Sequence, residues 1–186
     1  MLAEIETYAR ELSWILDQIC GALDGLTATQ LNWRPSATAN SLYAIASHVS
    51  GSTSVYALGF GCDQNVTRDR AAEFAAVGTD AGTLIVAIRQ LQRKIGDALG
   101  RLTAGALDER ILPPPDLWGT GEPREISRRE ALVESIRQAA LHLGERRLTR
   151  DLATKAATPG RCRLRWSAGP RRLSSIASGI VLDGSS

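Results

Sequence analysis

The sequence has little of what builds disulfide scaffolds, cysteine zinc sites or membrane spans. Its 186 residues include three cysteines, Cys20, Cys62 and Cys162, which are widely spaced and form no C-x-x-C pair. This pattern argues against both a disulfide framework and a cysteine-based zinc site. No apolar run approaches the length of a membrane span, and the N-terminus lacks the basic head and apolar block of a signal peptide. We therefore expect a cytoplasmic protein with reduced thiols and no membrane partner.

Aromatic residues are also few, and the net charge is small. Aromatic residues make up 5% of the chain, whereas hydrophobic residues make up 44%. Alanine and leucine are plentiful in that fraction, which favours helices over sheets. The formal net charge is only +2, with bases mostly interleaved with acids. Most of the chain therefore lacks the basic surface typical of nucleic-acid binding, and we expect no nucleic-acid partner.

Apolar residues recur at helical spacing in four long segments, over residues 2–23, 41–60, 80–102 and 128–152. Asn40 or Ser41 is suited to cap the second segment, and Ser127 with Glu130 forms an S-x-x-E capping box before the fourth. Proline and glycine over residues 108–127 forbid a regular helix there. The flanks of that connection, ERIL and REIS, are candidates for a short β-ribbon. Trp118 within it either covers the mouth of the bundle or anchors the loop.

These segments predict an all-α protein, a four-helix bundle with one long crossing connection, over residues 1–157. The character of the chain changes at residue 158. The remaining stretch has five arginines, scattered glycine and no helical period. We therefore expect an irregular basic tail over residues 158–186. Binding of nucleic acid through this tail is a weaker hypothesis, and it would make binding steeply dependent on salt.

The chain has only two histidines, and each lies at the edge of an apolar helical stripe. His48 lies on the second predicted helix and His142 on the last. Side chains at such edges face the seams between helices, where residues distant in sequence converge. Two interpretations follow. The histidines form a small metal site inside the bundle, each binding through one ring nitrogen, or they are half-buried histidines bonded to backbone carbonyls.

Two more side chains share the flank of His142. Gln138 lies one turn before it and Glu145 one turn after it, so the three form a row that can present several ligands to one ion. Glutamate is the better ligand, because the amide oxygen of glutamine is neutral and hard. Arg146 and Arg147 are close enough to pair with Glu145 instead. In that alternative the row is a solvated flank of a core helix.

Two segments of the chain resemble the DinB-like (YfiT-type) metalloenzyme family. LNWRPSATANSLYAIASHVSG is similar to the second-helix signature of that family, and ALHLGERRLTRDL is similar to its last-helix signature. The resemblance covers roughly residues 1–155. It implies an up-down-down-up four-helix bundle, often a homodimer. It also implies a divalent metal, nickel or zinc, on three histidines, one on the second helix and two spaced four residues apart on the last.

By this resemblance His48 matches the second-helix histidine and His142 the later histidine of the last helix. Gln138 stands where the earlier one is expected, so it would be a weak third ligand. The resemblance implies a metal-dependent thiol S-transferase or a metal-dependent hydrolase, with a low-molecular-weight thiol or another small molecule as partner. The departure at Gln138 supports an alternative, a non-catalytic dimeric structural or interaction module that has lost metal binding. No residue is an obvious general base, and Glu145 is the nearest candidate.

Overall fold

A computed structural model describes residues 2–118 and 121–156. In chain order the elements are α1 (Ala3–Leu23), α2 (Ala28–Asn32), α3 (Leu42–Thr53), a π-helical segment (Ser54–Gly61), α4 (Arg70–Ala75), α5 (Gly82–Leu99), α6 (Ala104–Asp108), β1 (Arg110–Ile111), β2 (Ile126–Ser127) and α7 (Arg128–Ala156). The four predicted helices are therefore confirmed. The basic tail predicted over residues 158–186 lies outside the described residues.

Contacts between α1 and α7 show that these two helices run in the same direction. Near their N-termini, Arg129 donates a hydrogen bond to Glu4 at 2.7 Å. Further along both helices, Arg147 donates to Gln18 at 2.8 Å. Because both partners advance together along the sequence, α1 and α7 are parallel.

The other two long helices run against this pair. Gln92 of α5 donates to the Ser13 hydroxyl of α1, and Arg89, one turn earlier on α5, pairs with Asp17 further along α1. On the other side, α3 and the π-helical segment pack along α7 in the reverse sense. His48 contacts His142, whereas the backbone at Gly61 lies against the side chain of Leu132. The bundle is therefore up-down-down-up, and the predicted fold class is confirmed.

The core follows the predicted stripes. The buried apolar residues of α1 recur every three or four positions, as a helix with one core-facing side requires; they include Ile5, Leu12, Leu16, Ile19 and Leu23. Cys20 is buried among them, as expected for a small thiol on a core helix. None of the described helices has the combination of length and apolarity needed to cross a membrane.

The connections refine the sequence prediction in three places. The second helix widens to π geometry after Thr53, a local change that periodicity does not report. The short helix α6 was not predicted, although Thr103 caps it by accepting from the backbone N–H of Ala106. The β-ribbon is confirmed as an antiparallel pair, with Arg110 opposite Ser127 and Ile111 opposite Ile126.

Arg146 is the one large charged side chain in the described part of the chain that is buried without a hydrogen bond. It is 0% exposed, and its three guanidinium nitrogens have no hydrogen-bond acceptor there. Burial lowers its pKa to about 9. An unpaired charge in an apolar core opposes folding, because its hydration is lost without compensation. The arginine therefore occupies a position that an apolar side chain would fill better.

We expect Arg146→Met to raise the free energy of unfolding by about 1–4 kcal/mol, since methionine follows the path of the arginine stem without the charge. Urea unfolding of the full chain measures this. Arg147→Met, on the exposed side of the same helix, is the control and should change stability by no more than about 0.5 kcal/mol. Destabilisation by Arg146→Met would mean that the guanidinium has a stabilising partner.

The stability gained by Arg146→Met should also depend on pH. The pKa of Arg146 is lower in the folded chain than in the unfolded chain. Below the pKa of the folded chain the guanidinium is charged in both states, so the full cost of burying the charge opposes folding. As pH rises above that value, the folded chain loses this proton first and the penalty shrinks. The difference between Arg146→Met and wild type should therefore be smaller at about pH 10 than at about pH 7.

Candidate functional site: a histidine pair between α3 and α7

The two histidines of the chain meet at the seam between α3 and α7. Ser41 begins α3 as its N-cap by accepting from the backbone N–H of Ala44, and His48 follows two turns later on the inner side of the helix. His48 is 7% exposed. Its ring stacks on Phe74 with centroids 4.3 Å apart and meets the ring of His142 edge-on at 4.9 Å. The convergence predicted from the sequence is present.

A carboxylate and a guanidinium hold His48 from the side of α4. The Nδ1 atom of His48 lies 2.9 Å from Glu73 Oε2. Arg68 donates to both oxygens of Glu73, from Nε to Oε1 and from Nη2 to Oε2, each at 2.8 Å. The Arg68 and Glu73 side chains are 4% and 9% exposed. Sequence reasoning missed this buried clamp, because its only signal was an arginine five residues before a glutamate, in a segment outside the four predicted helices.

The clamp fixes which nitrogen of His48 is available. Burial alone would raise the pKa of Glu73, but hydrogen bonds from Arg68 and His48 outweigh it and lower the pKa below its ordinary value. An ionised carboxylate only accepts hydrogen bonds, so the 2.9 Å contact between His48 Nδ1 and Glu73 Oε2 requires a hydrogen on Nδ1. Arg68 Nη2 also lies 3.2 Å from His48 Nδ1, but its shorter hydrogen bond, at 2.8 Å, is to Glu73 Oε2. In the neutral ring Nε2 is then the atom with a lone pair. The clamp stabilises the fold above the unfolded pKa of the carboxyl, and that contribution is lost as pH falls through the lower folded value.

Gly51 makes room for the clamp. A Cβ atom at this position of α3 would lie 2.5 Å from Glu73 Cδ and closer still to its Oε1. Since the carboxylate is held in place by two bonds from Arg68, it cannot simply swing away. The absence of a side chain on α3 therefore lets α4 approach closely enough to bring Glu73 to His48.

His142 is held by its own helix. Its Nδ1 atom lies 2.9 Å from Glu145 Oε2, and the side chains are 24% and 44% exposed. The alternative in which Arg146 or Arg147 pairs with Glu145 is wrong in this structure. Arg146 points into the core, and Arg147 reaches across to Gln18 on α1. Each histidine is thus engaged at Nδ1 by a carboxylate, the arrangement in which Nε2 is directed to a metal or a substrate.

Gln138 does not join the histidines. Its amide nitrogen donates to Glu134 Oε1 at 2.9 Å, one turn further back on α7. Within residues 2–118 and 121–156, no set of three or more His, Cys, Asp or Glu side chains is arranged to hold a metal ion. The donor set therefore fits two positions of the three-histidine centre that the resemblance implies, but not the third.

The remaining sequence candidates lie elsewhere. Cys20 is a buried free thiol on α1, and Cys62 is a partly buried free thiol after the π-helical segment. Burial raises the pKa of the Cys20 thiol and raises that of the Cys62 thiol to about 11, which disfavours a thiolate at either position. Trp118 packs near Tyr56, with ring centroids 6.4 Å apart. That contact is consistent with an anchored loop at the edge of the bundle.

We expect Gly51→Ala to destabilise the fold by about 1–3 kcal/mol, because the new methyl group displaces Glu73 from a packed position. Chemical denaturation measures the loss, and the NMR shifts of the His48 ring report whether its hydrogen bond to Glu73 is broken. Gly96→Ala is the matched control. Gly96 lies in the last turn of α5, and a Cβ there meets nothing within 4 Å, so alanine should stabilise by up to about 1 kcal/mol. Equal effects of the two substitutions would contradict the close approach.

Comparison with known proteins agrees with this architecture. Residues 11–146 match the DinB superfamily. No curated protein matches the chain. Among solved structures, a conserved protein from Enterococcus faecalis aligns with a TM-score of 0.65 at 16% identity, over 83% of this chain and 99% of that one. A DinB-like protein (YjoA) from Bacillus subtilis aligns with a TM-score of 0.56 at 19% identity, over 83% of this chain and 93% of that one.

At these identities the solved structures support the fold alone. The family assignment comes from the sequence match, which spans the region from α1 into α7 and includes His48, Gln138 and His142. The family that these residues resembled is therefore the correct one. The chain belongs to the DinB superfamily.

Proposed function

We propose that this chain is a metal-poor member of the DinB superfamily, with a degenerate bundle-core site for a divalent metal. His48 and His142 are its two ligands, and Gln138 does not supply a third. One observation carries the proposal. The two rings lie in contact, each engaged at Nδ1 by a carboxylate, whereas Gln138 is bonded to Glu134. The site retains the orientation of two ligands but lacks the donor that makes binding tight.

The expected consequence is weak binding of nickel or zinc by the wild type. Two neutral imidazoles leave a tetrahedral or octahedral ion with mostly solvent ligands, whereas catalytic zinc sites use three protein ligands. The function that follows is that of a non-catalytic binding module. The carboxylate-engaged histidines also favour a second candidate, a thiol S-transferase-like enzyme. Its test is turnover of a low-molecular-weight thiol with an electrophile by the nickel- or zinc-supplemented wild type.

We expect Gln138→His to raise the affinity for nickel or zinc at least about 100-fold. Loss of a residue that only orients a ligand costs up to about 100-fold in metal affinity, and a residue that binds the metal directly should contribute at least as much. Isothermal titration calorimetry measures the affinity. Thermal unfolding with and without chelator should respond to metal in the variant and not in the wild type. Gln138→Asn is the matched control, since it changes the side chain without adding an imidazole.

Three results would reject this proposal. Stoichiometric, chelator-sensitive metal in the purified wild type would show that two histidines suffice. No gain in Gln138→His, with the fold intact by circular dichroism, would show that position 138 does not face the pair. A gain in metal affinity that persists when Gln138→His is combined with His48→Ala would show that the added histidine binds metal outside the histidine pair.

We also propose that the chain is a homodimer in the cytoplasm. Leu141, Leu148 and Leu152 lie on one face of α7 and are 62%, 63% and 39% exposed. An apolar row of this kind on a surface helix is typical of an interface between subunits. The wide spacing of the three cysteines and the lack of a C-x-x-C pair favour a reducing compartment.

We expect Leu148→Glu to convert the dimer to a monomer, since a charge in an apolar interface loses its hydration without a partner. Light scattering after size-exclusion chromatography measures the mass. Leu112→Glu is the control, because Leu112 is similarly exposed, at 69%, but lies in the connection before α7. A monomeric wild type, or a dimer that survives Leu148→Glu, would contradict the proposed interface.

A further inference from the structure

A concave site lies beside the histidine pair, on the same seam. It is a cavity of about 310 Å³ between the π-helical segment, the connection before β2 and the first half of α7, and its walls include Tyr56, Trp118, Arg124, Ile126, Arg137 and Gln138. Its volume falls at the lower end of small-molecule pockets. Gln138 lies one turn before His142 on α7, which places the cavity about 6 Å further along the helix axis.

The carboxylates of the cavity already have partners. Glu134 accepts from Arg137 at both oxygens, at 2.6 and 2.9 Å, and from Gln138 at 2.9 Å. Burial would raise the pKa of Glu134, but these hydrogen bonds outweigh it and lower the pKa. Glu130 accepts from the backbone N–H of Ser127 at 2.6 Å, which lowers its pKa in turn. Both glutamates are therefore ionised, and their acceptor atoms are directed at the protein.

The arginines keep donors to spare. Arg137 donates from Nε and Nη2 to Glu134, so its Nη1 takes no part in that bidentate pair, and the guanidinium also interacts electrostatically with Tyr56. Arg124 meets Glu130 only as an ion pair, at 3.6 Å, and its side chain is 65% exposed. A guanidinium has five N–H donors in a planar fork that matches a carboxylate. The unsatisfied hydrogen-bonding capacity at the cavity is thus mainly that of positive donors, although the formal charges of the lining residues cancel.

The opposite wall is apolar and aromatic. Tyr56 and Ile126 are 5% and 2% exposed. The rings of Tyr56 and Trp118 are tilted by 48° with centroids 6.4 Å apart. Flat apolar groups pack well against such rings in offset or edge-on arrangements. A ligand with one anionic end and a flat apolar body would satisfy both walls.

We propose that this cavity binds a small carboxylate with an aromatic or unsaturated body, with the carboxylate on Arg124 and Arg137 and the body against Tyr56 and Trp118. The proposal stands apart from metal binding, because none of these four residues belongs to the histidine pair. It predicts a selective order among matched probes. An anion should bind better than a neutral molecule of the same shape, and a cation should bind worst.

Benzoate, benzyl alcohol and benzylamine are the probes, titrated into the full chain and followed by saturation-transfer NMR and tryptophan fluorescence. Benzoate should bind at least about tenfold more tightly than benzyl alcohol, the difference that one charge-assisted hydrogen bond supplies. Arg124→Gln should reduce the benzoate affinity about tenfold or more. Arg147→Gln, on the part of α7 facing α1, is the matched control and should leave it unchanged.

Arg137→Gln should change which probe binds best, a result that loss of structure alone would not produce. It removes a donor for the carboxylate and frees the Glu134 carboxylate, so the preference should shift from benzoate towards benzylamine. Three outcomes overturn the proposal. They are equal binding of benzoate and benzyl alcohol, loss of benzoate binding in Arg147→Gln to the same extent as in Arg124→Gln, and no detectable binding of benzoate to the wild type at about 10 mM, a concentration that reveals even millimolar affinity.

Discussion

The buried carboxylate of Glu73 holds the candidate site in place. It accepts from Arg68 at both oxygens and from His48 at one of them, and all three side chains are removed from solvent. Charges buried in this way are tolerable only when every one is paired, and removal of a single partner leaves another uncompensated. The clamp therefore ties α4 to α3, sets the ring of His48 and depends on the bare backbone at Gly51.

The chain contains a second buried arginine with the opposite outcome. Arg68 is compensated by a bidentate carboxylate, whereas Arg146 lies in the core with no acceptor among the described residues. The difference is geometric. The helix α4 brings the Glu73 carboxylate against Arg68, whereas the groups that interact electrostatically with Arg146 are the Cys20 thiol and the like charge of Arg150. One arginine organises the site, and the other lowers the stability of the bundle that carries it.

Gln138 lies between the histidine pair and the cavity on the α3–α7 seam. A histidine there would extend the pair of imidazoles towards a three-ligand centre. The glutamine instead donates to Glu134, which Arg137 also holds. This network keeps the carboxylate occupied and leaves Arg124 and the remaining donor of Arg137 facing the cavity. The glutamine at position 138 thus weakens the metal site at the histidine pair and helps to hold the Glu134 carboxylate in the wall of the neighbouring cavity.

The sequence by itself determined the helices and their apolar faces, because helical periodicity and capping are local properties that a chain carries without its partners. The same faces indicated that His48 and His142 share a seam, and the signatures around them identified the family. Only the tertiary structure decided which side chains reach those rings. Glu73 and Arg68 come from a segment with weak local signals, and α4 brings them to α3 through contacts across the fold. The burial of Arg146 was likewise invisible, since its position on α7 faces the core only once α1 and α7 pack together.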